Sequence, residues 1–455
     1  MDNLLEAFVG LLGRDHVSLG AAAADCAFSP WTRLGTPRAV LRPNSTEEVA
    51  AVMRLAHAAR APIVPWGGRT GLVDGARADG AIALSFERMR QVEAVDTDGA
   101  TMSVEAGCVL QDACAAAEAH DLLLPLDFGA RGSATIGGAI STNAGGNKVL
   151  RYGMTRDLVL GLEVVLADGT VLPAMNRLIK NNAGYDLKQL FIGSEGTLGI
   201  VTRAVLRLRS KPRSQVTALL AVDHFDALAS VLRMLESELA GSLSAFEVMW
   251  PEFYDLVTTP PAKGRAILPP GHAHYVLVEA LGADAEGDLD RFVAVLGRAL
   301  ENGWVADAAI AKSQAERDRM WALRDDVGQT ARDGPIVAFD IGLPIDAMEA
   351  YVARSRAELR SRWPQARLVV FGHLGDGNLH LIASLPETGA REAIESIVYA
   401  PLRDLGGTIS AEHGIGLQKR GYLGLSRTPQ EVALMRALKA ALDPSGLLNP
   451  GKVLA

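Results

Sequence analysis

The chain is poor in cysteine and lacks any tract suited to a membrane span or to nucleic-acid binding. Its three cysteines among 455 residues, Cys26, Cys108 and Cys114, form no disulfide framework, so a reducing, cytoplasmic setting is expected. No run of about 18 apolar residues appears, which excludes a transmembrane helix. There is also no basic tract, and 53 acidic residues outnumber 45 basic ones, so nucleic acid is not an expected partner.

The N-terminus likewise lacks the basic region of a secretion signal. Its apolar residues recur at helical spacing and predict an amphipathic helix: Leu4, Leu5, Phe8, Leu11 and Leu12. The chain length predicts roughly two or three domains. Near Lys211-Pro212 a glycine-rich first half gives way to helical patterns that alternate with strands, so we place a domain boundary near 212.

A Rossmann dinucleotide fingerprint is also missing, because the G-x-G-x-x-G spacing does not follow the predicted strand at 61–66. A nicotinamide-dependent dehydrogenase is therefore disfavoured. The loop 67–71 after this strand could still cradle a pyrophosphate through backbone N–H groups, although a lone loop of this kind is usually a tight turn. Glycine-rich loops at 129–146 and 192–200 have a similar composition. Together the three loops favour one extended dinucleotide laid across them.

Two of the nine histidines flank one predicted turn. The dipeptide Asp376-Gly377 suits a type I′ hairpin, which would place His373 directly opposite His380 with Cβ atoms roughly 5 Å apart. Such a pair could share a metal ion; the alternative is an ordinary hairpin with two half-buried histidines. A later segment adds Glu412 beside His413, and two histidines with one glutamate are the ligand set of a catalytic zinc site. The sequence alone does not show that the two segments meet.

Several short motifs carry a family resemblance: Pro125-Leu126-Asp127, Thr142-Asn143-Ala144-Gly145-Gly146, Arg151-Tyr152-Gly153, Gly184-Tyr185-Asp186-Leu187, Gly193-Ser194-Glu195-Gly196-Thr197-Leu198-Gly199, Gly372 to His380, and Ser410 to Gly414. They resemble the vanillyl-alcohol oxidase (p-cresol methylhydroxylase) superfamily over nearly the whole chain. Within it, the chain is most similar to the D-2-hydroxyacid dehydrogenase branch, which includes D-lactate, glycolate and D-2-hydroxyglutarate dehydrogenases.

The resemblance implies an α+β fold with a two-part FAD-binding domain of the p-cresol methylhydroxylase type and an α+β cap domain with an antiparallel sheet. We expect the FAD-binding domain at 1–212, the substrate or cap domain with the metal site at 213–436, and a C-terminal tail at 437–455 that returns to the FAD domain. Some superfamily members attach their flavin covalently through a histidine. No histidine occurs in 58–119 or 121–223, so non-covalent FAD is expected.

The residues that the resemblance assigns to FAD lie in and around the glycine loops: Pro65, Trp66, Gly67, Gly68, Arg69, Thr70, Gly71, Leu72, Pro125, Asp127, Gly132, Ser133, Ile136, Gly137, Gly138, Thr142, Asn143, Gly145, Gly146, Glu195, Gly196, Gly199, Ile200 and Asn449. The implied ligands of a divalent metal, expected to be Zn²⁺ with Mn²⁺ as the alternative, are His373, His380 and Glu412.

His413 is the implied catalytic base and Arg324 the implied partner of the substrate carboxylate. From the residues alone, Arg324 would more simply form a surface salt bridge with Asp325 or Asp326. The implied reaction oxidises a D-2-hydroxy acid to a 2-oxo acid, with the metal chelating the hydroxyl and carboxylate, His413 removing the hydroxyl proton, and hydride passing to flavin N5. Because a nicotinamide site is missing, an electron-transfer flavoprotein or a quinone is the expected electron acceptor.

The chain departs from the hydroxyglutarate subfamily at three positions. That subfamily has Thr where Gly328 stands, Lys where Ala338 stands and Asn where Ile382 stands. All three polar groups help to hold a dicarboxylate, so we expect a monocarboxylic substrate, D-lactate or a larger apolar homologue. D-2-hydroxyglutarate is the alternative.

Two rival interpretations stay open. One is another FAD enzyme of the superfamily with an unrelated alcohol substrate, such as an aldonolactone or a sugar nucleotide. The other is a metal-dependent hydrolase without flavin. The sequence leaves the oligomeric state open, with a homodimer as one option.

Overall fold

The computed structural model describes residues 2–385, 387 and 389–454. The α-helices are α1 Asp2–Leu12, α2 Ala21–Asp25, α3 Thr46–Ala58, α4 Leu110–Glu118, α5 Ile136–Thr142, α6 Val149–Tyr152, α7 Thr155–Leu158, α8 Lys188–Phe191, α9 Phe225–Glu238, α10 Pro251–Thr258, α11 Ala285–Glu301, α12 Gln314–Asp325, α13 Ile345–Arg362, α14 Arg391–Tyr399 and α15 Pro429–Leu442.

The β-strands are β1 Val17–Leu19, β2 Ala39–Leu41, β3 Ile63–Trp66, β4 Ile82–Ser85, β5 Val92–Asp96, β6 Thr101–Glu105, β7 Leu122–Leu123, β8 Val159–Val165, β9 Val171–Ala174, β10 Ile200–Arg207, β11 Arg209–Ser210, β12 Ser214–Val222, β13 Leu243–Met249, β14 His274–Gly282, β15 Asp307–Ile310, β16 Ile336–Gly342, β17 Leu368–His373 and β18 Asn378–Ser384.

Backbone contacts divide the chain into two compact units. The first unit comprises the chain up to Gly146, then Gly153–Lys211, then the segment that begins at Glu412. The second unit comprises Asn147–Tyr152 and Pro212–Ala411. The predicted domain boundaries near residues 212 and 437 stay predictions.

In the first unit, one sheet has the order β1-β2-β4-β3, in which β2, β4 and β3 run parallel. A second, antiparallel sheet has the order β5-β6-β10-β8-β9. Its β8–β9 pair is an antiparallel hairpin around the turn at 167–170. Every residue of β8 is buried, as expected for a strand covered on both faces.

Local signals explain how the first unit's helices begin. The α1 helix buries Leu4, Phe8 and Leu12, which confirms the predicted amphipathic pattern. Ser45 caps α3 because its hydroxyl accepts a hydrogen bond from the Glu48 backbone N–H, while the Glu48 side chain accepts from Asn44 N–H.

In the second unit, one antiparallel sheet has the order β15-β12-β14-β13-β17-β18-β16. One face of this sheet carries an apolar core cluster that includes residues of α10 and α12. The predicted alternation of helical patterns with strands beyond residue 212 is confirmed, for example by α9, α11 and α13 between strands of this sheet. Among the described residues, no helix combines the length and apolar character that a bilayer crossing requires.

Candidate functional site

An open cleft of about 350 Å³ lies in the first unit, beside the first two glycine loops. Its lining includes Phe28, Trp31, Gly67, Gly68, Arg69, Thr70, Glu87, Arg90, Val109, Ser133 and Thr135. Loop 67–71 leaves the end of β3, and the second loop runs into α5, so both follow directly from the secondary structure. The cleft therefore gathers residues that were predicted from two separate glycine-rich segments.

The two loops touch through their backbones. A Cβ placed on Gly68 would overlap the Ser133 carbonyl oxygen and would lie 2.8 Å from Ala134 Cα. A Cβ on Gly67 would overlap the Thr135 hydroxyl, which already accepts a hydrogen bond from Gly138 N–H. Only glycine permits this approach, because any side chain at either position would push the loops apart.

Other residues assigned to FAD also hold the protein itself together. Trp66 is buried and its indole N–H donates to the Ala76 carbonyl at 2.7 Å. Arg69 donates to the Cys26 carbonyl at 2.7 Å, and Asp127 accepts from Arg131 at 2.6 Å. These side chains fix the shape of the loops.

The C-terminal tail contributes to the same unit through Asn449. Its amide donates to the backbone carbonyls of Gly75, at 3.0 Å, and Glu195, at 2.7 Å. The tail also pairs with the edge of β3, where Ile63 N–H donates to Leu447 O and Asn449 N–H donates to Ile63 O. Asn449 therefore joins the third glycine-rich segment to the loop after β3.

The histidine hairpin of the second unit differs from the predicted one. Leu374–Asp376 forms a 3₁₀ turn and Gly377 takes a positive φ of 83°, so the loop is longer than a two-residue turn. His373 consequently opposes Asn378, and His380 opposes Phe371, which makes the predicted direct pairing wrong. Because the register differs by two residues, both histidines still share one sheet face.

The two imidazoles are close enough to share a cation. Their ring centroids are 5.3 Å apart, and a ring nitrogen of each lies within 4.8 Å of the other. Both residues are buried. The diagonal arrangement thus keeps the potential for joint metal ligation that the predicted opposed pair suggested.

Glu247, on β13, links His373 to Arg324. One carboxylate oxygen accepts from His373 Nδ1 at 2.8 Å, and the other accepts from Arg324 Nε at 2.9 Å. Burial alone raises the pKa of Glu247, but the charges and hydrogen bonds of His373 and Arg324 outweigh burial and hold this pKa below its usual range. The carboxylate therefore fixes the orientation of the His373 ring through its Nδ1 atom.

Arg324 is buried rather than part of a surface salt bridge with Asp325 or Asp326. Its exposed fraction is 4%, and its guanidinium lies 4.9 Å from the Phe371 ring centroid. Arg324 Nη2 is also 3.5 Å from His373 Nε2. The structure brings Arg324, His373 and His380 onto one face of the sheet. A site that binds a metal ion next to a substrate carboxylate would require this placement.

A second buried carboxylate, Asp340 on β16, lies directly opposite His380 on β18. Its Oδ1 accepts from the Asn378 amide at 2.8 Å and lies 4.0 Å from His380 Nδ1. Its Oδ2 accepts from Ser410 Oγ at 3.2 Å and from Ala411 N–H at 3.1 Å. Glu412 and His413, both half-buried, follow Ala411 directly and open the last segment of the first unit.

Sequence reasoning missed Glu247 and Asp340. Each is a lone charged residue within an apolar strand, Leu243–Met249 for Glu247 and Ile336–Gly342 for Asp340. A charge at a position that the strand pattern buries is unfavourable unless it is paired. This pattern could therefore have indicated that Glu247 and Asp340 are buried carboxylates with partners.

The chain is similar to known proteins over most of its length. Residues 37–174 match an FAD binding domain, and residues 211–453 match the C-terminal domain of FAD linked oxidases. The D-2-hydroxyglutarate dehydrogenase of Xanthomonas citri pv. viticola is 41% identical over 433 residues, which are 93% of this chain and 91% of that protein. The mitochondrial D-2-hydroxyglutarate dehydrogenase of Bos taurus is 41% identical over 431 residues, 93% of this chain and 78% of that protein.

Solved structures share the fold at lower identity. A p-cresol methylhydroxylase with substrate bound has a TM-score of 0.80 at 16% identity, covering 99% of this chain and 96% of that chain. An alkyldihydroxyacetonephosphate synthase has a TM-score of 0.77 at 18% identity, covering 99% and 84%. The predicted superfamily and the predicted α+β fold class are confirmed.

We expect Gly68→Ala to lower the affinity for FAD at least about tenfold, a change of roughly 1.4 kcal/mol. The added methyl would meet Ser133 and Ala134 backbone atoms and separate the two loops. The measurement is titration of the flavin-free protein with FAD, followed by flavin fluorescence. Gly129→Ala is the matched control, because a Cβ there meets no atom within 4 Å. Equal FAD affinity in both variants would contradict the role of this close approach.

Proposed function

Because the chain belongs to the FAD-linked oxidase family, we propose that it oxidises a D-2-hydroxy acid to the 2-oxo acid with FAD and a divalent metal. The buried cluster of Arg324, Glu247, His373 and His380 is the observation that carries this proposal. It combines a cation for a substrate carboxylate with imidazole nitrogens for a metal. The relatives named D-2-hydroxyglutarate dehydrogenase support the same class of substrate.

The glycine loops fit FAD, because they approach each other closely at Gly68 and line an open cleft together with Arg69 and Thr70. The chemistry that FAD supplies when bound is acceptance of hydride from C2 of the substrate. The role of the protein is to hold C2 against the flavin and to exclude water. We propose that reoxidation uses an electron-transfer flavoprotein or a quinone.

The donor set also fits a divalent metal, with Zn²⁺ first and Mn²⁺ as the alternative. The proposed ligands are His373, His380 and Glu412, and Glu247 orients the His373 ring from behind. The chemistry that the metal supplies when bound is polarisation of the substrate hydroxyl, which lowers its pKa. A metal-free hydroxyl would be a much weaker acid, so ligand loss should stop turnover.

Protein side chains are proposed to perform the remaining steps. Arg324 holds the substrate carboxylate, and its own position is fixed by Glu247. His413, as the neutral imidazole, takes the proton from the substrate hydroxyl oxygen. The proton leaves the substrate through His413 while the C2 hydrogen leaves with its electron pair, so the alcohol becomes a ketone.

The substrate side chain is proposed to meet an apolar surface. Ala338 on β16 pairs directly with Ile382 on β18, and Ile382 packs in the apolar cluster that contains Val369 and Phe371. A second carboxylate placed against this surface would lose its hydration without gaining donors, which commonly costs several kcal/mol for an ion. We therefore favour a monocarboxylic D-2-hydroxy acid such as D-lactate. The names of the relatives favour D-2-hydroxyglutarate, which is the second candidate.

Acid precipitation should release the flavin from the protein, because the ranges 58–119 and 121–223 contain no histidine to which the flavin could be linked covalently. The measurement compares yellow colour in the supernatant and in the washed pellet. Flavin that stays in the pellet would refute non-covalent binding.

Chelation should lower turnover at least about a hundredfold, since Lewis-acid stabilisation is worth several kcal/mol. FAD should stay bound, and added Zn²⁺ or Mn²⁺ should restore the rate. His380→Ala should show the same loss without rescue and should bind less metal by elemental analysis. His272→Ala is the control, because His272 pairs with Asp223 elsewhere in the second unit. Full activity in metal-free protein would end the metal proposal.

We expect kcat/KM for D-lactate or a larger apolar homologue to exceed that for D-2-hydroxyglutarate by at least about tenfold. The combined change Gly328→Thr, Ala338→Lys and Ile382→Asn should move this ratio toward the dicarboxylate. One dye acceptor should be used throughout, and D-malate should be included as the shorter dicarboxylate. If D-2-hydroxyglutarate gives the highest value with the unaltered protein, the apolar-pocket argument is wrong.

A further inference from the structure

We propose that Asp340 and Glu195 are positioning residues that hold the two ends of the segment 410–416 and so fix Glu412 and His413. This inference rests on the proposed function for the roles of Glu412 and His413. The contacts themselves are observed whatever the function, and each lies within a single unit.

Asp340 fixes the start of the segment within the second unit. Its exposed fraction is 0%, and its Oδ2 accepts from both Ser410 Oγ and Ala411 N–H. Two backbone hydrogen bonds between Gly342 and Thr408, at 3.1 and 2.8 Å, also join β16 to the chain just before Ser410. The chain that enters Glu412 is therefore attached to β16 by backbone and side-chain bonds.

The oxygens of Asp340 are already used as acceptors within the second unit. The Asn378 amide, which donates to Oδ1, donates also to the Ile341 carbonyl at 3.0 Å, so its own position is fixed. An ionised carboxylate is an acceptor alone and forms its strongest hydrogen bonds with several donors. These donors make Asp340 an anchor for the loop.

Glu195 fixes the end of the segment within the first unit. One carboxylate oxygen accepts from Ile415 N–H at 2.7 Å, and the other accepts from Gly416 N–H at 2.9 Å. Gly414, with a φ of +81°, lies so close that a Cβ would be 2.9 Å from Glu195 Oε1. Both oxygens therefore bind backbone that directly follows His413.

The position of Glu195 is itself restrained. Its φ is +52°, which is unusual for a residue with a side chain, and its carbonyl accepts from Asn449. Burial raises the pKa of this carboxyl, and the N–H groups of Ile415 and Gly416 oppose the rise. The N–H groups of Ile415 and Gly416, together with the charge of Lys419, offset part of the cost of burying Glu195, which ties its side chain to the segment.

Only three residues, 412–414, separate the two anchored ends. Small displacements of catalytic and metal-binding side chains from the productive geometry lower the reaction rate and the metal affinity. Mutation of the residues that hold metal ligands in place commonly lowers metal affinity by about 10- to 100-fold. Asp340 and Glu195 thus act through Glu412 and His413 and need not touch the substrate.

The test uses the full-length, FAD-bound protein with Asp340→Asn and Glu195→Gln, which keep side-chain size but replace acceptor oxygens by donors. Hydrogen exchange of the peptide covering 410–416 should be at least about tenfold faster in both variants. Metal affinity should fall about tenfold or more by equilibrium dialysis with Zn²⁺ in both variants, and flavin should stay bound in Asp340→Asn.

Two buried carboxylates that do not touch the segment serve as matched controls. Glu279 accepts from Gln215, Thr217 and Trp321 in the second unit, and Glu163 accepts from Thr46 and Thr202 in the first. Glu279→Gln and Glu163→Gln should leave exchange at 410–416 unchanged. Equal acceleration in the controls would overturn the proposal, since the effect would then be general loosening.

Ser410→Ala provides a milder variant should Asp340→Asn fail to fold. It removes one of the two donors to Oδ2 and should accelerate exchange of Ala411 N–H by a smaller factor. Unchanged exchange at 410–416 in every folded variant would overturn the proposal. If the variants exchange faster but the protein binds no metal and oxidises no 2-hydroxy acid, the anchoring role of Asp340 and Glu195 would stand. The proposed function would then be refuted.

Discussion

The charged group at the centre of the second unit is the carboxylate of Glu247. It is 2% exposed and lies between Arg324 and His373. A buried ion is tolerable only when it is paired, and removing one partner typically costs about 3–5 kcal/mol. The positions of the arginine, of the imidazole and of the strands that carry them therefore depend on one another. This mutual dependence makes a reactive arrangement rigid without any contribution from the substrate.

A different constraint shapes the first unit. There the important close approaches are at Gly68, which meets the backbone of the neighbouring loop, and at Gly67, which meets the Thr135 hydroxyl of that loop. The second unit uses side-chain charge to fix its site, and the first uses the absence of side chains. Each unit thereby suits the ligand that we propose for it, a large acceptor-rich cofactor in the first and a small anion with a cation in the second.

Much of this organisation could be predicted from the sequence, and the failures have physical causes. Glycine composition identified the loops, and alternation with helical spacing identified several of the longer strands and helices. The Asp376-Gly377 dipeptide indicated a hairpin, but the turn includes Leu374–Asp376, so the pairing shifts by two residues. Glu247 was missed because its partner His373 is 126 positions away, a distance over which local patterns carry no information. The roles of Glu412 and His413 came from family resemblance and stay predictions.

The bridge between Ile63 and Leu448 has a consequence for how the molecule is made. β3 is the edge of its parallel sheet, and the residues that pair with it are translated after the whole of the second unit. While the ribosome is still producing residues 212–411, that edge offers unpaired N–H and C=O groups, which can template association with other chains. The nascent chain is thus most vulnerable to misassembly during this interval, and a chaperone that covers a bare strand edge would act then.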